Sequence, residues 1–112
     1  MLPSSQRLTT KDFEEVMEKG RVYHSSLFLL RVVTKDEGKA RFAAVAPVKI
    51  AKKATERNRI KRLIYEAISS LYKSLNQPVW VVVIAKVPAL TAGLPIFSQE
   101  MKEIFVKARL LK

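Results

Sequence analysis

The sequence predicts an α+β fold, a sandwich in which helices pack on a four-stranded sheet in the order α-β-β-β-α-β-α. Three observations carry this. Residues 49–75 begin as a dense run of positive charge and continue with apolar residues at helical spacing. Val79–Ala85 (VWVVVIA) is an unbroken run rich in β-branched residues, the pattern of a strand covered on both faces. Residues 27–33 and 41–47 are two more strand-like runs, separated by the polar stretch TKDEGK.

The elements follow in order. Residues 1–8 contain Pro3, two serines and Arg7, and are expected to be extended. Thr9 or Thr10 caps a short first helix, with Asp12 in its first turn where negative charge suits the dipole. Phe13, Val16 and Met17 form its apolar stripe, and Gly20 is placed to end it. Arg21–His24 reads as a short edge strand. Residues 27–33 read as a buried strand whose one charged member is Arg31. Residues 41–47 return after the turn, so the two runs are expected to pair as an antiparallel hairpin. Ala43, Ala44 and Ala46 leave a shallow stretch that either receives a packed helix or lines a groove.

The next helix has two characters. In residues 49–62 (KIAKKATERNRIKR), seven of fourteen side chains are cationic and only Glu56 opposes them. Ile60, Leu63, Ile64, Ala67, Ile68, Leu71 and Leu75 then fall within an arc of about 140°, at 100° per residue. Asn58, Lys61, Arg62, Tyr65 and Ser69 fall on the opposite side. Arg57 and Arg59 are rotated by about 200° from each other, so they flank the apolar stripe from opposite sides. Asn76-Gln77-Pro78 breaks the pattern before the strand Val79–Ala85, in which Trp80 is read as core rather than as a stacking platform. Residues 86–97, with two prolines and a glycine, read as a loop. Ser98 then caps a last helix with stripe Met101, Ile104, Phe105, Ala108 and Leu111.

Composition narrows the function. A chain of 112 residues is expected to be one domain, and a net charge of +11 selects a polyanionic partner. A merely soluble surface interleaves both signs of charge, whereas this helix is almost single-signed. Arg's planar fork suits phosphate oxygens. The absence of cysteine excludes disulfides, thiolate catalysis and Cys-based metal sites, and the single His24 offers no histidine cluster. No apolar run reaches membrane-spanning length, so a soluble cytoplasmic protein is expected, with no membrane partner and no small-molecule substrate.

The run 54–63 (ATERNRIKRL), preceded by Lys52 and Lys53, resembles the signature helix of the bacterial ribonuclease P protein family. The resemblance extends to Arg7-Leu8, Asp12-Phe13, Val16 and Gly20-Arg21, to Val45-Ala46-Pro47 with Lys49, and to residues 81–85. Three positions depart from the family's pattern. Met17 and Arg31 stand where aromatic residues are common, and Val48 where a lysine usually precedes Lys49.

The resemblance implies a four-stranded sheet with a left-handed βαβ crossover. It implies a protein cofactor of a catalytic RNA that removes the 5′ leader from precursor tRNA. No catalytic residue and no metal site then lies in the protein, and Mg²⁺ is used by the RNA subunit. Lys49, Lys52, Lys53, Arg57, Asn58, Arg59, Lys61 and Arg62 are the implied RNA-binding residues. Phe13 and Met17 are the implied lining of a leader cleft, and the partners are the catalytic RNA and precursor tRNA.

Three other readings compete. A ribosomal-type RNA-binding module shares the charge and size. A protein-only nuclease needs clustered carboxylates, and Asp12, Glu14, Glu15 and Glu18 share one short helix. A membrane-surface helix needs an apolar stripe that the core already requires.

Overall fold

The computed structural model describes residues 2–112, and Met1 lies outside them. Helix α1 is Thr10–Lys19, strands β1, β2 and β3 are Arg21–His24, Phe28–Thr34 and Arg41–Val45, helix α2 is Ala54–Leu71, strand β4 is Val79–Ala85 and helix α3 is Leu94–Lys107. Short 3-10 turns occupy Ser4–Gln6, Tyr72–Ser74 and Val87–Leu90. The predicted α+β class and element order are present.

The sheet order is β1-β2-β4-β3. The expected hairpin between β2 and β3 is therefore wrong, because β4 lies between them. It pairs antiparallel with β2 and parallel with β3. A sequence shows which runs are strands but not which neighbour they take. Here the most apolar run takes the central place, where both of its edges are paired and both faces covered. The true hairpin is β1 with β2, antiparallel from Arg21 opposite Val32 to His24 opposite Leu29. β3, α2 and β4 form the expected crossover unit.

Strand alternation sorts the sheet into two faces. Phe28, Leu30, Val32, Phe42, Val79, Val81, Val83 and Ala85 face α2 and α3 and join one core with Ile60, Ile64, Ile68, Met101, Ile104 and Phe105. Phe28 meets Phe97 edge-on at 5.4 Å, and Phe42 stacks on Phe105 at 6.1 Å. The opposite face carries α1 alone. Val16 and Val82 are both fully buried there, away from the main core.

Five electrostatic or steric devices seat α1. The Thr9 side chain accepts from the Asp12 N–H at 3.2 Å, so Thr9 is the cap. Arg41 approaches Asp12 at 3.9 Å, and Lys35 bonds Glu15 at 2.7 Å while lying 3.9 Å over the Trp80 ring. Arg31 donates to the Met17 carbonyl at 2.9 Å, where the helix dipole favours a cation. Gly20 ends the helix, as expected, but in an extended conformation rather than a left-handed one. A Cβ there would lie 2.5 Å from the Val16 carbonyl oxygen of the helix itself and 3.1 Å from Arg31 Cβ and the Val32 nitrogen of β2, so the helix end demands glycine.

Several boundaries differ from expectation. Within residues 2–8, Ser4–Gln6 forms a turn rather than extended chain. Beyond it the Leu8 N–H donates to the Phe42 carbonyl at 2.9 Å, covering part of the β3 edge. Residues 86–97 are not all loop. α3 starts at Leu94 with Gly93 as its cap residue and Pro95 in the first turn, a position that suits proline. Ser98 is thus inside the helix, whereas Leu111 falls beyond its end and bridges Leu75. α2 closes at Leu71, so Leu75 packs from outside the helix. Trp80 is half-buried rather than core, because its position faces the α1 side near the sheet's end.

The ion pair at Glu15 sets an acid dependence. Its hydrogen bond to Lys35 holds the carboxyl below the usual range. The pair therefore stabilises the fold fully above the ordinary Glu pKa and is lost as pH falls through the lowered folded value. Glu15→Gln is expected to lower the melting temperature at neutral pH, with the difference from the parent vanishing in acid.

Candidate RNA interface

The loop after β3 reverses at once. The Ile50 and Ala51 N–H groups both donate to the Pro47 carbonyl at 3.1 Å, and the Ala51 side chain is buried. This anchor leaves Lys49, Lys52 and Lys53 exposed on either side of it. The Lys53 N–H donates to the Glu56 carboxylate at 3.4 Å, so the lone acid of the run caps the helix. Its carboxylate serves the backbone and does not pair with a basic side chain in the described residues.

Arg57 and Arg59 do diverge. Arg57 folds back and donates to the Ala51 and Lys52 carbonyls at 3.0 and 2.7 Å, clamping the lysine-bearing loop to the helix. Arg59 crosses to the other side and donates to the Ala92 carbonyl at 2.9 Å, tying α2 to the segment before α3. Both are half-buried, and each uses only part of its five-donor fork on the protein. Asn58 and Arg62 are exposed, and Lys61 is half-buried.

Asn58, Lys61, Arg62, Tyr65, Arg7 and Ala44 line a concavity of about 300 Å³ at the β3 edge. Tyr65 does not point to solvent with Ser69. Its hydroxyl accepts the Ala44 N–H at 3.1 Å and satisfies a donor of the edge strand. Tyr65 lies seven residues after Asn58 and four after Lys61, so helical spacing alone groups these three. Arg7 arrives from a distant segment, and no local pattern announces it.

The predicted cleft residues lie on the other face of the sheet. Phe13 and Met17, one turn apart on α1, are both half-buried. Val82 is fully covered beneath α1, but Leu29, Ala43, Val45 and Ile84 on the same face keep part of their surface accessible. They make an apolar trough beside the helix. Strand alternation places these four on one face. Arg31, on this same face of β2, fixes the end of α1 beside the trough through the Met17 carbonyl. The structure therefore separates the two sets of candidates. The eight basic-run residues gather around the start of α2, and Phe13 and Met17 form a separate surface under α1.

Asp12 and Glu15 are engaged by Arg41 and Lys35, and no group of three or more His, Asp or Glu converges among the described residues. No described helix is long and apolar enough to cross a membrane.

The divergent arginines predict a graded response. Arg59→Ala breaks the link to Ala92 and is expected to cost about 1 kcal/mol of stability, discounted for its partial exposure. Asn58→Ala, at an exposed position, is expected to stay within about 0.5 kcal/mol. Urea denaturation of the two variants measures the difference.

Comparison with known proteins places this geometry. The family model described as Ribonuclease P matches residues 2–109. The ribonuclease P protein component of Synechocystis sp. is 30% identical over 112 residues, spanning 98% of this chain and 90% of the relative. That of Microcystis aeruginosa is 31% identical, spanning 98% and 96%. The solved RNase P protein of Staphylococcus aureus superposes with a TM-score of 0.84 at 20% identity, covering 98% of this chain and all (100%) of that one. The Thermotoga maritima RNase P protein gives 0.80 at 19% identity, covering 90% and 96%. The fold, the basic helix and the match along nearly the whole sequence agree, and the chain belongs to the ribonuclease P protein family.

Proposed function

We propose that this chain works in the cytoplasm as the protein component of ribonuclease P, with the catalytic centre in an RNA subunit. The observation that carries the reading is the start of α2. There Lys49, Lys52, Lys53, Arg57, Arg59, Lys61 and Arg62 converge without an acidic side-chain partner among the described ion pairs. Such a surface repels itself until phosphates neutralise it. The Arg57 clamp holds the loop lysines against the helix, so fewer side chains must be ordered on binding. The catalytic RNA is the partner proposed for this face.

The trough under α1 suits a different ligand. Half-exposed apolar side chains bind the bases of an unpaired strand, and here that strand is the 5′ leader of precursor tRNA. Phe13 supplies a flat ring, whereas Met17 supplies a polarizable but flexible side chain. Mg²⁺ belongs to the RNA in this scheme. The acids nearest the trough, Asp12 and Glu15, already neutralise Arg41 and Lys35, and no residue of this chain is given a catalytic role.

Reconstitution tests the reading. The protein should stimulate release of the leader from precursor tRNA at low Mg²⁺ when added to a bacterial ribonuclease P RNA. Binding without stimulation would instead indicate a ribosomal-type RNA-binding module. With about five to seven phosphate contacts, log K against log salt should fall with a slope of about −4 to −6, and a slope near zero would refute the electrostatic account.

Phe13→Ala is expected to lower precursor tRNA affinity by about 1–3 kcal/mol while sparing mature tRNA. Met17→Phe should preserve or raise the precursor preference. Equal losses for both tRNAs on truncating Phe13 would mean that the residue is only a packing group.

A further inference from the structure

The C-terminus of α3 holds the only non-glycine residue of the described chain with positive φ. This is Arg109, at φ 60°. The Arg109 N–H donates to the Val106 carbonyl and the Leu110 N–H to the Phe105 carbonyl, both at 3.0 Å. These two bonds form a Schellman closure, and its left-handed position is one that glycine fills without strain. An arginine there carries the steric conflict between Cβ and the following carbonyl.

Dipole compensation does not account for it. Lys107 already stands in the last turn. A cation within the helix end supplies the same favourable charge with ordinary backbone angles, and the gain at an exposed site is smaller than the left-handed penalty. The Asn76 amide donates to the Arg109 carbonyl at 2.9 Å, which fixes the backbone but makes no use of the guanidinium.

Arg109 lines a cavity of about 480 Å³ between the end of α1, β1 and the end of α3. Lys19, Arg21 and Arg109 line it together with Thr34 and Gln77, and no acidic residue is among its lining. The three cations come from three separate elements. The cavity lies at the β1 edge of the sheet, beside the end of β2, whereas the basic face of α2 borders β3 at the other edge.

We propose that Lys19, Arg21 and Arg109 form a second RNA site, which takes a backbone phosphate from a segment other than the one at α2. Arg109 presents its planar fork, Lys19 and Arg21 add charge, and Thr34 and Gln77 add neutral donors. The strained arginine is kept because its guanidinium has a ligand. The inference rests on the RNA-binding reading of this chain but not on the α2 contacts.

The test compares Arg109→Gly, Arg21→Gln, Lys73→Gln and Arg62→Ala in the full-length protein. Lys73 is an exposed cation outside the cavity, and Arg62 belongs to the α2 face. Each is assayed for binding to ribonuclease P RNA alone and, after assembly with that RNA, to precursor tRNA. Arg109→Gly should raise the melting temperature by a few degrees. It should also weaken one of the two binding steps several-fold, reducing the salt slope of that step by about 1. Arg21→Gln should weaken the same step, and that step identifies which RNA supplies the phosphate. Unchanged affinity and slope in both steps for Arg109→Gly, or an equal loss for Lys73→Gln, would overturn the second site. If Arg62→Ala also leaves both steps unchanged, the broader RNA-binding reading fails with it.

Discussion

Everything in this fold is arranged around the burial of β4. Val79, Val81, Val82 and Val83 are fully inaccessible, so the strand needs cover on both faces and partners on both edges. β2 supplies an antiparallel partner. β3 supplies a parallel one, and parallel neighbours cannot be joined by a tight turn. The connection must cross the sheet, and α2 is that connection. Its apolar stripe is fixed by the need to cover one face of β4, so its polar side is fixed as well. The cationic start of α2 is carried to the β3 edge as a consequence of packing.

This coupling explains why charge so dense is compatible with folding. Like charges on one helix repel, and the repulsion is offset only if the helix is held by something else. Ile60, Ile64, Ala67 and Ile68 are fully buried, and each large aliphatic group contributes about 1.5–3 kcal/mol by burial. Arg57 and Arg59 add bonds to carbonyls on opposite sides. These arginines belong to the proposed interface and to the fold at once, which makes their truncation a poor measure of RNA contact alone.

The sequence displays what is periodic and conceals what is long-range. The α2 stripe, the two-faced character of β4 and the divergence of Arg57 from Arg59 follow from helix and strand geometry, and the structure agrees. The strand order does not follow, because β2 and β3 are adjacent in sequence and equally fit to pair. Trp80 reads as core from its apolar neighbours. Its alternation places it on the thinly covered face instead, where Lys35 lies over the ring. The start of α3 was hidden by Pro95, which suits a first helical turn as well as a loop. At the candidate interface the basic run is legible residue by residue. Arg7 and the trough floor require knowledge of which segments the chain brings together.

The two faces of the sheet differ in how they treat charge. Beside the trough the charges are matched: Asp12 with Arg41, Glu15 with Lys35, and Arg31 with a carbonyl at the helix end. Matched charges draw no polyanion strongly, so the trough they frame selects for apolar and aromatic contact. At the start of α2 the only acid is occupied in capping, and no acidic side chain pairs with the cations there among the described residues. In the function proposed above, a long-range field there would gather RNA by its backbone, while the trough would discriminate by its bases. Separating these tasks on opposite faces lets a rigid sheet hold both surfaces at a fixed spacing. On the proposed function, a backbone held at the start of α2 would present an unpaired strand to the trough at a distance set by the sheet itself.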